Sequence, residues 1–300
     1  MTQAATIEAP TRPALRWHGG KWKLAPWIMS HFPPHRVYVE PFGGAASILL
    51  RKERVYGEVY NDLDDWVVNL FRVLQNEEQA ARLVRLLEVT PFARTEFEVA
   101  RKLGEAEGDP VELARRLIIR SYMGFGSNAH DGRSTGFRSN SNRSGTLPVQ
   151  DWANYPQALL KIVERFRGVV IEHRDATAVM VQHDSLETLH YVDPPYLPEV
   201  RSPANKYGLK YRMYRHEMDA AGHLTLIEAL HQLEGMVILS GYPPPLYESA
   251  LPGWRRSETA ALADGARKRT EVLWINPAAA EGLDRVRRGH EFGLFATVGG

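Results

Sequence analysis

Arg36-Val37-Tyr38-Val39-Glu40-Pro41-Phe42-Gly43-Gly44 reads as a short β-strand that a proline breaks and two glycines turn. The alternating Val and Tyr give the run its β character, and a proline does not continue a central ladder. Ala45 to Lys52 then reads as a helix, and Tyr56 to Asn61 as a second strand ending at Asp62. Asp65 to Gln75 has helical periodicity, with Val68, Phe71, Val73 and Leu74 favouring one side. Strand, turn, helix and strand in this order imply a parallel α/β sheet.

The pattern then changes and later returns. Glu77 to Glu88, Arg94 to Leu103 and Pro110 to Tyr122 read as helices with little strand signal. Pro110, after Gly108-Asp109, suits a helix start. Gly124 to Gln150 is long, polar and rich in Gly, Ser and Asn, and loops of that length usually carry function or lack fixed structure. Residues 76–166 are therefore expected to form an inserted, mainly helical domain with a recognition loop or hairpin. Gly168 to Glu172 and Leu189 to Val192 resume the sheet, with a short helix between them. His216 to Leu233 reads as a helix and Met236 to Ser240 as a buried strand. Arg255 to Ala261 and Thr270 to Asn276 suit a closing antiparallel pair, and residues 277–300 are weakly patterned.

Bulk composition narrows the function. The 300 residues are 44% hydrophobic and 24% charged, as in a globular protein. No apolar run approaches the roughly 18 residues of a membrane span. Met1 to Pro13 lacks a signal peptide's charged start and apolar stretch, so a loose tail (residues 1–13) and a cytoplasmic location are expected. The chain has no cysteine, which excludes disulfides, thiolate metal sites and a cysteine nucleophile. Methylation of cytosine carbon 5 needs such a nucleophile; methyl transfer to an amino nitrogen does not. Net charge is only +1, but its distribution is uneven. Arg133, Arg138 and Arg143 lie in the polar loop, and Arg201, Lys206, Lys210, Arg212 and Arg215 form a second basic stretch. Solvated loop charge is the bland explanation of each run.

Asp193-Pro194-Pro195-Tyr196 closes the apolar run Leu189 to Val192. It presents a carboxylate, a prolyl carbonyl and a flat ring together, a set suited to gripping a planar amine. An ordinary Asp-Pro turn is the competing explanation. Glycines at Gly43 and Gly44 let backbone approach a ligand, but the dinucleotide fingerprint is absent, which disfavours a nucleotide-dependent oxidoreductase. Asp62, ending the second strand, sits where an acid can bind ribose hydroxyls, or else caps a helix. Trp17-His18-Gly19-Gly20-Lys21 could cap a ligand and pair its carboxylate. Asp175 ends another strand; it can accept from an adenine amino group or cap the helix from Ala176 to Gln182.

The order Trp17-x-Gly19-Gly20-Lys21, Glu40-Pro41-Phe42-x-Gly44, Asn61-Asp62, Asp175, Asp193-Pro194-Pro195-Tyr196 closely resembles the Dam-type DNA adenine-N6 methyltransferases. The similarity runs from residue 15 to about 276. Its glycine loop departs from many members, which carry one further glycine where this chain has Ala45. The resemblance implies a Rossmann-like S-adenosylmethionine-dependent methyltransferase sheet built from residues 14–75 and 167–300. Residues 76–166 would be its target-recognition domain. It also implies S-adenosylmethionine as cofactor and double-stranded DNA as partner, with no metal and no membrane. A monomer is expected, with a dimer as the alternative. Carried over by position, Trp17 and Lys21 would contact the methionine end of the cofactor. Phe42, Gly43 and Gly44 would approach its body, Asp62 its ribose and Asp175 its adenine. Asp193, Pro194, Pro195 and Tyr196 would form the catalytic corner, with Asp193 facing both the cofactor and the target base and Tyr196 stacking on that base. Arg133, Arg138, Arg143, Lys206, Lys210 and Arg212 would contact DNA. Rival readings are transfer to cytosine N4, RNA adenine or a protein amide, and a binding module without activity.

Overall fold

The apolar runs pair into one seven-stranded sheet in the order β3-β2-β1-β4-β5-β7-β6. The structure, a computed structural model, describes residues 9–102, 108–125, 136–142, 145–197, 215–262 and 268–296, with backbone alone for 262, 268 and 289–296. Strands β1 (Val37–Glu40), β2 (Gly57–Asn61), β3 (Val170–Glu172), β4 (Thr188–Val192) and β5 (Met236–Gly241) run parallel. The expected antiparallel pair, β6 (Arg255–Leu262) and β7 (Lys268–Ile275), closes the sheet against β5. β4 and β5 are buried along their whole lengths. Both their faces are covered, so they read as continuous apolar runs rather than alternating ones. The order reverses between β1 and β4, and a crevice opens where neighbouring strands leave in opposite directions.

Helices α2 (Asp65–Gln75), α3 (Glu77–Val89), α4 (Arg94–Ala100) and α5 (Pro110–Met123) follow β2. Side-chain caps set three of their starts: Asp64 accepts from Trp66 N–H, Asn76 from Gln79 N–H, and Asp109 from Val111 and Glu112 N–H. α6 (Pro148–Ala153) and α7 (Tyr155–Phe166) complete this helical block. Its buried side chains, Leu83, Ile118, Leu159 and Phe166 among them, share one core with Tyr38, Tyr60 and Ile238 of the sheet. Phe71 of α2 stacks on Phe166 of α7 with ring centroids 4.2 Å apart. Beneath them, Glu58 of β2 accepts from Lys52 at 2.6 Å and from both Arg165 nitrogens at 2.7 and 2.9 Å. Burial pushes the Glu58 carboxyl up, but Arg165 and Lys52 outweigh it and hold it below its ordinary range. The remaining helices are α1 (Ala25–Met29), α8 (Ala176–Gln182), α9 (Ala220–Gln232), α10 (Pro245–Ala250) and α11 (Pro277–Ala296). Among the described residues no helix is long and apolar enough to cross a membrane.

Three sequence expectations need correction, and one unassigned segment gains an element. Ala45 to Lys52 is a series of turns, not a regular helix. Ala46 takes a left-handed φ of 52°, and the buried Glu40 carboxyl accepts the Leu49 N–H at 3.0 Å. A helical ladder would have used that donor. The helix expected from His216 begins at Ala220, where the Asp219 side chain accepts from Gly222 N–H. The helix expected to reach Leu103 ends by Ala100 among the described residues. The unassigned terminus carries α11, whose Gly282 weakens its helical signature. A Cβ there would meet Pro33 at 2.8 Å, so glycine allows close approach. In the long polar loop, Gly124 bridges Phe137 in antiparallel fashion, and the interval 126–135 lies outside the described residues.

Candidate active site

The crevice is assembled from the turns that follow β1, β2 and β4. Asn61, fully buried at the end of β2, ties the neighbouring turns together. Its side-chain amide donates to the carbonyls of Pro41 and Arg174, and its side-chain oxygen accepts from Arg174 N–H. Its backbone carbonyl accepts from Gly43 N–H at 2.8 Å. Gly43 packs so tightly on the Tyr60 ring that a Cβ there would collide with it. Asp62 then binds the glycine turn: one oxygen accepts Gly44 N–H at 2.7 Å and the other accepts Asp64 N–H at 2.8 Å.

These turns enclose a cavity of about 620 Å³, within the range of small-molecule sites. Trp17, Lys21, Phe42, Gly43, Gly44, Asp62 and Asp193 all line it, as does Pro195. Eight positions scattered over the chain are thus brought to one cavity. His216, Met218 and Gly222, from the start of the α9 region, line it as well. Pro194, Tyr196 and Asp175 are not on the wall. Pro194 is buried behind it. The Oδ1 atom of Asp175 caps α8, accepting from Ala178 N–H at 3.0 Å and from the Thr177 hydroxyl.

Asp193 sits at the centre of a charged cluster. Lys21 Nζ lies 2.9 Å from its Oδ2 and donates to the Gly19 carbonyl at 2.9 Å. The Tyr196 hydroxyl lies 3.0 Å from Asp193 Oδ1 and 2.6 Å from Glu271 Oε1. Ser240 donates to that same Glu271 oxygen at 2.9 Å. Tyr196 itself is only 8% exposed. Lys21 Nζ stands 4.8 Å from its ring centroid, and Tyr242 meets it edge-on. The ring expected to stack on a base is therefore covered in this conformation. Behind the corner, buried His223 contacts the Pro195 carbonyl through Nε2 at 3.0 Å and the Tyr247 hydroxyl through Nδ1 at 2.7 Å. A phenol donating to Nδ1 leaves Nε2–H to donate to the carbonyl, which locks the turn.

Burial dominates the titration of the acids. It pushes Glu40 up to about 8, against the hydrogen bonds from Tyr38 and Leu49. It pushes Asp193 up to about 6; Lys21 and Tyr196 pull back, and Glu271 pushes further up. Asp62 is likewise raised by burial to about 6, opposed by the N–H groups of Asp64 and Gly44. Near neutral pH Glu40 holds its proton while Asp62 and Asp193 are mostly charged.

Glu271, Glu40, Ser240 and His223 were given no role by sequence reasoning, although Glu40 stood inside a recognised motif. A signal for Glu271 did exist: it is the one acid in the strand Thr270-Glu271-Val272-Leu273-Trp274-Ile275, and it is 2% exposed. Arg138 donates to the Tyr122 carbonyl at 3.0 Å, which anchors the loop end. Arg133, Arg143, Lys206, Lys210 and Arg212 lie outside the described residues. The described end of the second basic stretch, Arg215, lies over Trp66 at 4.4 Å and beside Asp64 and Asp65.

Comparison with known proteins agrees with this geometry. Residues 17–237 match the profile of the D12 class N6 adenine-specific DNA methyltransferases. A DNA adenine methylase of Vibrio cholerae is 36% identical over 191 residues, covering 62% of this chain and 66% of the relative. DNA adenine methylases of Escherichia coli K12 and Salmonella typhimurium are each 26% identical over 195 residues, with the same coverage. The aligned region thus spans just under two thirds of each relative's length. The seven-stranded mixed sheet is consistent with the methyltransferase fold. Matched along most of its length and lining its cavity with residues from four of its motifs, the chain belongs to the D12 class of N6 adenine-specific DNA methyltransferases.

Proposed function

We propose that this protein transfers a methyl group from S-adenosylmethionine to the N6 amino group of an adenine flipped out of duplex DNA. The observation that carries the reading is the place of Asp193. It ends β4, beside β1, on the wall of the cavity that Gly43 and Asp62 also line. The cavity suits the cofactor in charge as well as size. Glu217, Asp219, Asp62, Asp64 and Asp193 supply more acidic than basic groups to the wall, which favours a cationic sulfonium. Lys21 brings positive charge where a carboxylate would sit. The tight glycine turn excludes side chains from the path of the ligand. Asp62 would take the ribose hydroxyls and Asp175, through its Oδ2, the adenine amine.

S-adenosylmethionine, when bound, supplies a methyl group already activated by the sulfonium charge. The chain's own groups handle the amine. The N6 lone pair is delocalised into the purine ring and is a poor nucleophile. Asp193 accepts one N6–H and the Pro194 carbonyl, which does not line the cavity in this conformation, would turn to accept the other; together they draw the nitrogen toward tetrahedral geometry and aim its lone pair at the methyl. The charge-assisted bond to Asp193 is the stronger of the two. As positive charge develops on N6, Asp193 stabilises it in a largely water-free site. His223 holds the Pro195 carbonyl and so fixes the corner. Stacking of Tyr196 on the base requires Lys21 to give up the ring face it now covers. A base within a duplex cannot reach this corner, so it must be extruded. Residues 76–166 would read the flanking sequence, with Arg133, Arg138 and Arg143 as contacts. Lys206, Lys210 and Arg212 would close over the strand.

The test is labelled methyl transfer to duplex oligonucleotides followed by nucleoside analysis. N6-methyladenine is the expected product. Label on cytosine N4, on RNA adenine alone, or on no base would overturn the proposal.

A further inference from the structure

Three oxygens in the site form a chain that is short of one hydrogen. Asp193 Oδ1, the Tyr196 hydroxyl oxygen and Glu271 Oε1 are joined by contacts of 3.0 and 2.6 Å. With both carboxyls ionised, only the Tyr196 hydrogen serves these two contacts, because a phenol donates once and a carboxylate only accepts. Ser240 donates a second hydrogen to the same Glu271 Oε1, and Lys21 supplies its charge 2.9 Å from Asp193 and 3.8 Å from Glu271. Two carboxylates and one ammonium leave the cluster one negative charge in excess. One more proton would complete the hydrogen-bond chain and cancel that charge.

The proposed reaction releases one proton at this place. As N6 gains a methyl, the charge that leaves the sulfonium moves onto nitrogen, and transfer of an N6 proton to Asp193 accompanies formation of the N–C bond, so the proton's departure is part of the step that sets the rate. A neutral product requires an N6–H bond to break with its electron pair staying on nitrogen. We infer that Asp193, Tyr196 and Glu271 form a relay that carries this proton away from the base. The inference rests on the methyltransferase reading above. The proton passes to the Asp193 carboxylate. As it moves from Oδ1 to the Tyr196 oxygen, the original phenolic proton moves to Glu271 Oε1. Asp193 is left as a carboxylate, Tyr196 unchanged and Glu271 neutral, so atoms and charge balance. Glu271 acts through Tyr196 and is a positioning residue that sets the direction of transfer.

The other charged and titratable groups facing the chain are Lys21, Glu40, Tyr191, Tyr242, Tyr247 and Arg269. Burial raises the three tyrosines, so none of them competes for the proton near neutrality. Glu40 is already protonated there.

The test measures single-turnover methyl transfer to a duplex oligonucleotide by the full chain, with cofactor and DNA affinities alongside. Glu271→Gln keeps an oxygen for the Tyr196 hydrogen but accepts no proton. Its rate is expected to fall about 10²-fold near neutral pH, with both affinities unchanged. The deficit should narrow as pH rises, because bulk base replaces the relay. Tyr196→Phe keeps the ring and breaks the same chain, so it should behave alike and serves if Glu271→Gln fails to fold. The double variant should be no slower than the slower single one. An undiminished rate in Glu271→Gln, or a deficit equal at every pH, would overturn the relay while leaving the methyltransferase reading intact. A wild-type chain that methylates no adenine would overturn both.

Discussion

Asp193→Asn should make the protein more stable and nearly inactive at once. Burial raises the Asp193 carboxyl from 3.8 to about 6. A raised carboxyl lends stability below its unfolded value and loses it as pH climbs through the folded one. At 1.36 kcal/mol per pH unit, carrying the charge costs the fold about 3 kcal/mol above about pH 6. Asparagine copies the shape of the protonated acid and does not titrate. Its amide can accept from Lys21 through oxygen and donate to the Tyr196 oxygen through nitrogen, which supplies the hydrogen the chain lacks. Chemical unfolding should therefore find the two proteins alike near about pH 4. The variant should lead by up to about 3 kcal/mol above about pH 6. Methyl transfer should fall by roughly 10²–10³-fold, as when one preorganised stabilising group is removed. Activity bought with instability is a common trade at such sites. A variant less stable than wild type above pH 6, or one that still transfers methyl at the wild-type rate, would refute the assignment.

The other acids and the glycine turn give further tests. Glu40, raised from 4.5 to about 8 by burial, should cost stability progressively as pH rises between those values, about 5 kcal/mol in all. Glu40→Gln keeps an acceptor for Tyr38 and Leu49 and should flatten that dependence in unfolding titrations; an unaltered slope would contradict it. Gly43→Ala drives a methyl into the Tyr60 ring and should cost about 1–3 kcal/mol in thermal unfolding. It should also weaken cofactor binding, and a neutral effect on both would remove the turn from the site. Asp62→Ala frees the glycine turn and removes the expected ribose acceptor, so calorimetry should find cofactor affinity at least about tenfold lower, the loss of one charge-assisted hydrogen bond. DNA affinity should drop steeply with added salt through counterion release, whereas a flat response would argue against the basic loops as the footprint.

How far the chain could be read before folding differs from element to element. β1, β2, β4 and β5 were legible because buried parallel strands are runs of Val, Ile, Leu and Tyr ended by turn residues. α2 was legible through the spacing of Val68, Phe71, Val73 and Leu74, although its cap is Asp64 rather than Asp62, and α5 through Asp109 and Pro110 at its start. The turns from Ala45 to Lys52 were misread because their apolar residues have helical spacing. That spacing records burial, and single turns with i→i−4 bonds do form there, but the left-handed Ala46 and the Leu49 N–H taken by Glu40 break them into separate turns. α11 was passed over because glycine and charge dilute its periodicity. Lys21, Gly43, Asp62 and Asp193, singled out from their places at strand ends and in motifs, all line the cavity. Tyr196 was singled out as well, but its cover by Lys21 and its link to Glu271 were not visible.

Local preference along the chain was enough to mark the strands, their breaks and the acids that end them, since each depends on a few neighbouring residues. Two things were left to tertiary structure. One is adjacency: the sheet order sets β4 beside β1 and brings Lys21 and Glu271 to Asp193, and sequence distance holds no record of that. The other is charge state, because desolvation by the assembled core moves Glu40, Asp62 and Asp193 from ordinary acids to groups that hold or exchange protons near neutrality.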